Sequence, residues 1–458
     1  MLAWGSKRDA PKRAASNGAG PQKLGLDAAV ALVVAEIIGI GIFLTPAGMA
    51  RDLGSPLLVL VVWLLVGAAA LSGSLCYGEL ASRFPQAGGG YVYLREAWGP
   101  AVAFLYGWKS LLVMDPGLTA ALAAGLGKYT AAVVPLGAAG EKAVAIGIVV
   151  VLAAMSVLGM RVAGNVMRLF AAVKLLLLAA IIVLGFVSAH GTWSNFLPFA
   201  APRPGTAPLV AGLAGGVLGA FFAFAGFWDI AKIGGEIKDP ARTLPRALAI
   251  GVAVATLVYL LVSGAFIRLV PMETAASGPA FAAQAGAALF GESGGRVFAV
   301  IVMIAIAGSL SAVIVTAPRV SYAMARDGYL PASIGRLHPR LGTPVRAIAL
   351  QALLACLVVG LANYDAILGY FVFITLVFLA LTVAGLYRLP RPAEGVFRVP
   401  GYPWTPLLFL LLLVMLLALM GAGRPFEAAL GTGIVALGYP VYRLIVAPRA
   451  ARLAEEVP

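Results

Sequence analysis

Stretches of about 20 apolar residues follow one another along this chain from residue 27 to residue 446, and that recurrence leaves few folds open. A helix rises about 1.5 Å per residue, so each stretch is long enough to cross the roughly 30 Å of a bilayer's hydrocarbon core. Twelve can be counted, at 27–48, 56–78, 98–132, 142–160, 166–188, 208–233, 246–270, 294–324, 346–362, 366–387, 404–421 and 426–446. Most consist of Leu, Val, Ala, Ile and Gly, a composition in which small residues let helix backbones approach. The apolar/polar alternation of a membrane β-barrel is absent. With 61% hydrophobic and 11% charged residues and a mean hydropathy of +0.97, the chain has too little polar surface to clothe soluble domains. The expectation is an all-α integral membrane protein of twelve transmembrane helices.

Charge gives the orientation. Placing the N-terminus in the cytoplasm puts 23 of the 33 Lys and Arg residues on the inner side, Arg83, Arg95, Lys232, Arg242 and Arg326 among them. Seven fall outside, and Lys109, Lys174 and Arg319 lie within spans. That asymmetry follows the positive-inside rule and accounts for the formal charge of +14, so nucleic-acid binding need not be invoked. Twelve spans return the C-terminus to the cytoplasm, which suits the inner membrane of a cell. The basic N-terminal residues carry no apolar core of a cleavable signal, so the first span is expected to direct insertion. Cys76 and Cys356 sit in apolar spans, and the only histidines are His190 and His338. Neither a metal site, a cofactor nor an enzymatic nucleophile is expected from that inventory.

Three interruptions of the apolar pattern bear on function. In the first span, Glu36-Ile37-Ile38-Gly39-Ile40-Gly41-Ile42-Phe43 sets two glycines one residue apart near mid-span. Glycine costs about 1 kcal/mol relative to alanine inside a helix. Such a pair marks either a close helix contact or a break, and the adjacent buried carboxylate favours a functional break. The sixth span holds Phe222-Ala223-Phe224-Ala225-Gly226-Phe227-Trp228-Asp229 after Gly212, Gly215, Gly216 and Gly219. Matching interruptions in the first helix of two five-helix halves point to an inverted-repeat transporter. At such breaks free N–H groups can hold a carboxylate and free carbonyls an ammonium, as a zwitterionic α-amino acid requires. Lys174, in the fifth span, is either a snorkelling side chain or an ammonium buried between helices.

An ordered set of motifs resembles the amino acid–polyamine–organocation transporter superfamily, most of all its L-type amino acid transporters. Tyr77-Gly78-Glu79-Leu80 with Pro85 and Gly88-Gly89-Gly90-Tyr91-Val92-Tyr93 is similar to the signature after the second span. Gly39-Ile40-Gly41-Ile42-Phe43 and Phe222-Ala223-Phe224-Ala225-Gly226 resemble the motifs of spans one and six. The stretches 236–247, 322–331 and 397–403 extend the likeness, which covers about 27–450.

The resemblance implies a LeuT-type five-plus-five inverted repeat, with discontinuous helices one and six and two further C-terminal helices. Residues 26–190 would form the first repeat, 205–390 the second and 400–447 the last two helices, between cytoplasmic tails at 1–25 and 448–458. It implies substrate carboxylate binding at Ile40 and Gly41, with Ile37, Ile38 and Gly39 beside them. The substrate ammonium would lie on the carbonyls of Phe222, Ala223 and Ala225, with Phe224 and Gly226 completing the motif and Phe222 gating it. Lys174 would stand where sodium-coupled members bind an ion and connect to the eighth span through Ser309 or Ser311. Ile40 replaces the usual serine, and Glu36, Asp115 and Asp229 add carboxylates that would carry protons or favour a cationic side chain. Glu79, Arg83, Glu236, Lys238, Arg242 and Arg326 offer ion pairs for a cytoplasmic gate, each worth about 0–1 kcal/mol at a wet surface. The loop from Ala131 to Glu141 lacks the cysteine by which animal L-type transporters attach a partner, so no disulfide-linked heavy subunit is expected. The implied activity is secondary active transport of amino acids by alternating access, as sodium-independent exchange or proton symport, with a polyamine or cationic amino acid carrier as the alternative.

Overall fold

The computed structural model describes residues 23–277, 281–361, 364–423, 425–446 and 448. The cytoplasmic tails expected from the sequence lie almost wholly outside these residues. Among the described residues nine helices are long and apolar enough to cross a membrane, from Pro56–Arg83 to Ala428–Val446. A tenth crossing is made by Leu26–Ile37 and Gly41–Leu53, bent 42° to each other. The stretches expected at 346–362 and 366–387 appear as the apolar helices Val345–Leu361 and Tyr364–Ala384, of 17 and 21 residues. The only β pairing among the described residues is one bridge, Leu24 to Ile237.

The helices pack as two groups. Both halves of the first span, Pro56–Arg83, Leu209–Phe224 and Pro240–Leu269 lie against one another. A second group joins Pro100–Ala131, Ala138–Val157, Gly294–Thr316 and Val345–Leu361 around Ala120, Val149, Leu152, Leu310 and Ile348. Met160–Val187 touches members of both. With every backbone group in lipid needing an internal partner, regular helix dominates, and departures from it are informative. Among the described residues, departures in the buried interior include the bend of the first span, a change to 3-10 helix after Gly226, and a π-helical turn at Ser110–Met114.

Candidate functional site

The first span leaves helical geometry at Ile38, whose ψ is 76°, and restarts at Gly41. Among the described residues the N–H groups of Ile40, Gly41 and Ile42 reach no carbonyl. They are the unpaired donors at the positive end of a new helix, which is where an anion is best held. The sixth span runs helically from Leu209 to Phe224, turns extended at Ala225 and enters the left-handed region at Gly226, with φ +103°. Phe222 O accepts the Ala225 N–H at 3.2 Å, whereas the carbonyls of Phe224 and Ala225 accept no N–H among the described residues. The two interruptions touch. A Cβ on Gly41 would fall 2.7 Å from Ala223 Cα, so this crossing tolerates no side chain there. A Cβ on Gly226 would lie 3.4 Å from the Cβ and carbonyl oxygen of Glu36. Free donors of one break and free acceptors of the other are therefore brought together, with Phe222, 38% exposed, beside them.

The carbonyls at the end of Leu26–Ile37 have partners that the motif alone does not reveal. Lys174 Nζ donates to Ala35 O at 3.2 Å and to Ile38 O, and lies 3.4 Å from Ser309 Oγ. Ser309 donates to Ala35 O at 2.6 Å. Ser311 instead bonds Gly308 O of its own helix at 2.7 Å and makes no hydrogen bond to this node. The Tyr259 hydroxyl sits 2.8 Å from Ile37 O and 2.7 Å from Ala223 O, stitching the two breaks from the seventh span. A cation at a helix C-terminus meets the negative end of the dipole, and here it also fills otherwise unpaired acceptors. Lys174, 1% exposed, does not snorkel.

A second set of charges lies around the cytoplasmic half of span six. Lys232 Nζ hydrogen-bonds Asp115 Oδ1 at 3.0 Å. It is also 3.0 Å from Asp229 Oδ1, but at an angle that makes no hydrogen bond, so both Asp229 oxygens lack one. Both Lys232 and Asp229 are 1% exposed. The topology reading had grouped Lys232 with cytoplasmic charges. The structure corrects this, because the 3-10 segment turns the side chain inward to meet span three. The π-helical turn Ser110–Met114 separates Asp115 from Lys109, which is likewise buried. Lys109 Nζ lies 2.8 Å from Met114 Sδ and 4.7 Å over the Tyr106 ring. Glu36 Oε1 accepts the Thr316 hydroxyl at 3.2 Å and lies within the fields of Asp229, Lys232 and Lys174. Three ammonium groups and three carboxylates thus surround the two breaks.

At the basic end of the molecule, Glu79 pairs with Arg83 at 3.3 Å and accepts the Val399 N–H at 2.8 Å. Glu236 meets Arg319 through two bonds of 2.8 and 3.0 Å. Arg326 bonds the Tyr322 hydroxyl at 3.3 Å, and among the described residues neither it nor Arg242 is joined to an acid. A pair absent from the sequence reading is Arg95–Asp327, at 2.7 Å. Tyr91 donates to the same carboxylate at 2.7 Å, and burial pushes its hydroxyl pKa up, keeping it a neutral donor. Lys109, Asp115 and Arg319 were legible as ionisable residues inside spans; Tyr259 carried no sequence signal, since a lone tyrosine in an apolar helix is ordinary.

A bilayer-spanning helical protein in which two interrupted helices present free backbone donors and acceptors to one another, among self-compensated charges, is a transporter rather than an enzyme. The chain belongs to the amino acid permease family, whose model matches residues 24–437. It is 30% identical to the serine/threonine exchanger SteT of Bacillus subtilis over 84% of this chain and 88% of that protein. It is also 30% identical to the human large neutral amino acids transporter small subunit 2, covering 96% of this chain and 84% of the relative. The cystine/glutamate transporter of Pongo abelii is 28% identical over 95% and 88%.

Proposed function

We propose that this chain carries a neutral α-amino acid across the cell membrane by alternating access, as a sodium-independent exchanger. The observation that carries the reading is the junction of the two breaks. The N–H groups of Ile40, Gly41 and Ile42 receive the substrate carboxylate, and the carbonyls of Phe224 and Ala225 receive its ammonium. Phe222 lies over the pair. Ala223 O, expected from the motif to share the ammonium, already has the Tyr259 hydroxyl at 2.7 Å and plays a supporting part. Lys174 occupies the carbonyl cage at the end of the first half-helix, which supports transport without sodium. Exchange is the mode the bacterial relative's name gives that protein, and we extend it to this one.

The shape of the architecture follows the same reading. These ten crossings, with the helices Val345–Leu361 and Tyr364–Ala384, make twelve spans, arranged as two inverted five-helix repeats with two helices appended. The group containing spans one, two, six and seven rocks against the group containing spans three, four, eight and nine. In the form described here, Glu236–Arg319 and Arg95–Asp327 close the side that the positive-inside rule makes cytoplasmic. The chain works without a disulfide-linked partner, in keeping with two cysteines placed on apolar helices. A cationic or polyamine substrate is the weaker reading, because Lys232 already compensates Asp115 and Asp229.

The test is uptake into proteoliposomes preloaded with unlabelled amino acids, with and without sodium. Uptake driven by an internal neutral amino acid and indifferent to sodium is the expected result. Dependence on an imposed proton gradient with no response to internal substrate would replace exchange by symport. Putrescine uptake would overturn the amino acid reading.

A further inference from the structure

A cavity of about 640 Å³ lies away from the central site, between the N-terminal segment and the start of the fifth span. It is lined by Lys23, Leu24, Arg161, Asn165 and Arg168, three cations and no anion. The acid nearest in the contacts, Asp27, is already bonded to Arg168 at 2.7 Å. Lys23 and Arg161 make no salt bridge or hydrogen bond that is described. Arg161, Asn165 and Arg168 follow one another at intervals of four and three, which sets them along one side of the Met160–Val187 helix. One turn beyond Asn165 begins an apolar stripe, Leu169, Leu176 and Val183, spaced by sevens and 63%, 70% and 58% exposed. The cationic cavity therefore borders an exposed apolar stripe on the same helix, of the kind that acyl chains cover. Basic pockets beside transmembrane helices are suited to phospholipid phosphates.

The cavity wall also reaches the closure. The Leu24 N–H donates to Glu236 O at 2.9 Å, and Leu24 O accepts the Lys238 N–H at 2.8 Å. Glu236 is the acid that holds Arg319.

We infer that this cavity binds the phosphate headgroup of an anionic phospholipid, whose chains lie on the Leu169, Leu176 and Val183 stripe. The bound lipid fastens the N-terminal segment, and through Leu24 the loop that carries Glu236. A free phosphate anion has the same headgroup chemistry but no use for the stripe, so the two sources can be told apart.

The experiment is native mass spectrometry of the full chain in a neutral detergent, titrated with dioleoyl phosphatidylglycerol, with the phosphatidylcholine of the same chains, and with inorganic phosphate. Phosphatidylglycerol is expected to bind wild type more tightly than phosphatidylcholine. The double substitution Lys23→Gln with Arg161→Gln is expected to weaken phosphatidylglycerol binding about tenfold or more and leave phosphatidylcholine unchanged. The charge-preserving pair Lys23→Arg with Arg161→Lys is expected to bind as wild type. Equal phosphatidylglycerol binding by wild type and the glutamine variant overturns the inference. So does loss of phosphatidylglycerol binding by the charge-preserving variant when it unfolds at the same temperature as wild type, because positive charge would then not be what holds the lipid. Displacement of the lipid by millimolar inorganic phosphate would reassign the cavity to a free anion.

Discussion

Lys174 and Lys232 are both 1% exposed at the heart of the molecule, yet each is held by a different kind of partner. Lys174 is bound by backbone carbonyls at the end of a half-helix and by a serine hydroxyl. Lys232 is bound by the side-chain carboxylates of spans three and six. The first ammonium acts on the shape of a broken helix, the second on a charge balance between two helix groups. An ion pair can be replaced by apolar side chains of like volume, whereas carbonyls left open by a helix break always need a donor. Lys174 is therefore tied to the existence of the site, and Lys232 to how the two groups meet.

The largest effect expected from breaking this comparison is at the ion pair. Lys232→Met alone leaves two buried carboxylates without their cation and should cost about 3–5 kcal/mol of stability, whereas Asp115→Asn, which leaves Lys232 its Asp229 partner, should cost less. The triple change Lys232→Met, Asp115→Asn and Asp229→Asn should recover most of that loss, as read by thermal unfolding in detergent. If the triple variant unfolds as early as the singles, Lys232 is bound to something besides these acids and the contrast fails.

Next comes Lys174→Ala, which deprives the carbonyls of Ala35 and Ile38 of a donor. Ile38 O is left unpaired while Ala35 O keeps the Ser309 hydroxyl, so at about 1–3 kcal/mol uptake in proteoliposomes should fall about 10- to 100-fold. A partial rescue by sodium would sharpen the comparison, showing that a small cation can serve where the ammonium stood. Undiminished uptake would remove Lys174 from the site.

Smaller still is Gly226→Ala. Its φ of +103° puts a side chain in a strained region at a cost of roughly 1–3 kcal/mol, and its new Cβ meets Glu36. Substrate affinity should drop while the ion pair's contribution to stability stays intact.

The smallest is Tyr259→Phe, which removes the hydroxyl between Ile37 O and Ala223 O. A loss of about 1 kcal/mol, or a fivefold weaker apparent affinity, is expected from competition with labelled substrate. A change in transport rate with affinity preserved would assign Tyr259 to the motion between states.

Much of this was legible along the chain. The helical class follows from apolar length, since a bilayer imposes one dimension on every crossing. The first break was visible as Glu36 beside Gly39 and Gly41, and the sixth as Gly226 among aromatics, because glycine weakens a helix wherever it stands. The gate was half legible. Glu79 and Arg83 are one turn apart on one helix, while Arg319, the partner of Glu236, is 83 residues away.

The sequence by itself determined that the chain crosses a membrane many times, and that two spans carry glycine interruptions where a helix is weakest. These are properties of composition and local spacing, which the solvent and the backbone read one residue at a time. Only the tertiary structure decided that Lys232 is a buried partner of Asp115 and Asp229, and that Lys174 and Tyr259 complete the carbonyls of a broken helix. A lysine near the end of a span can reach water or turn inward with equal local ease. Which it does depends on whether a helix more than a hundred residues away brings it a carboxylate.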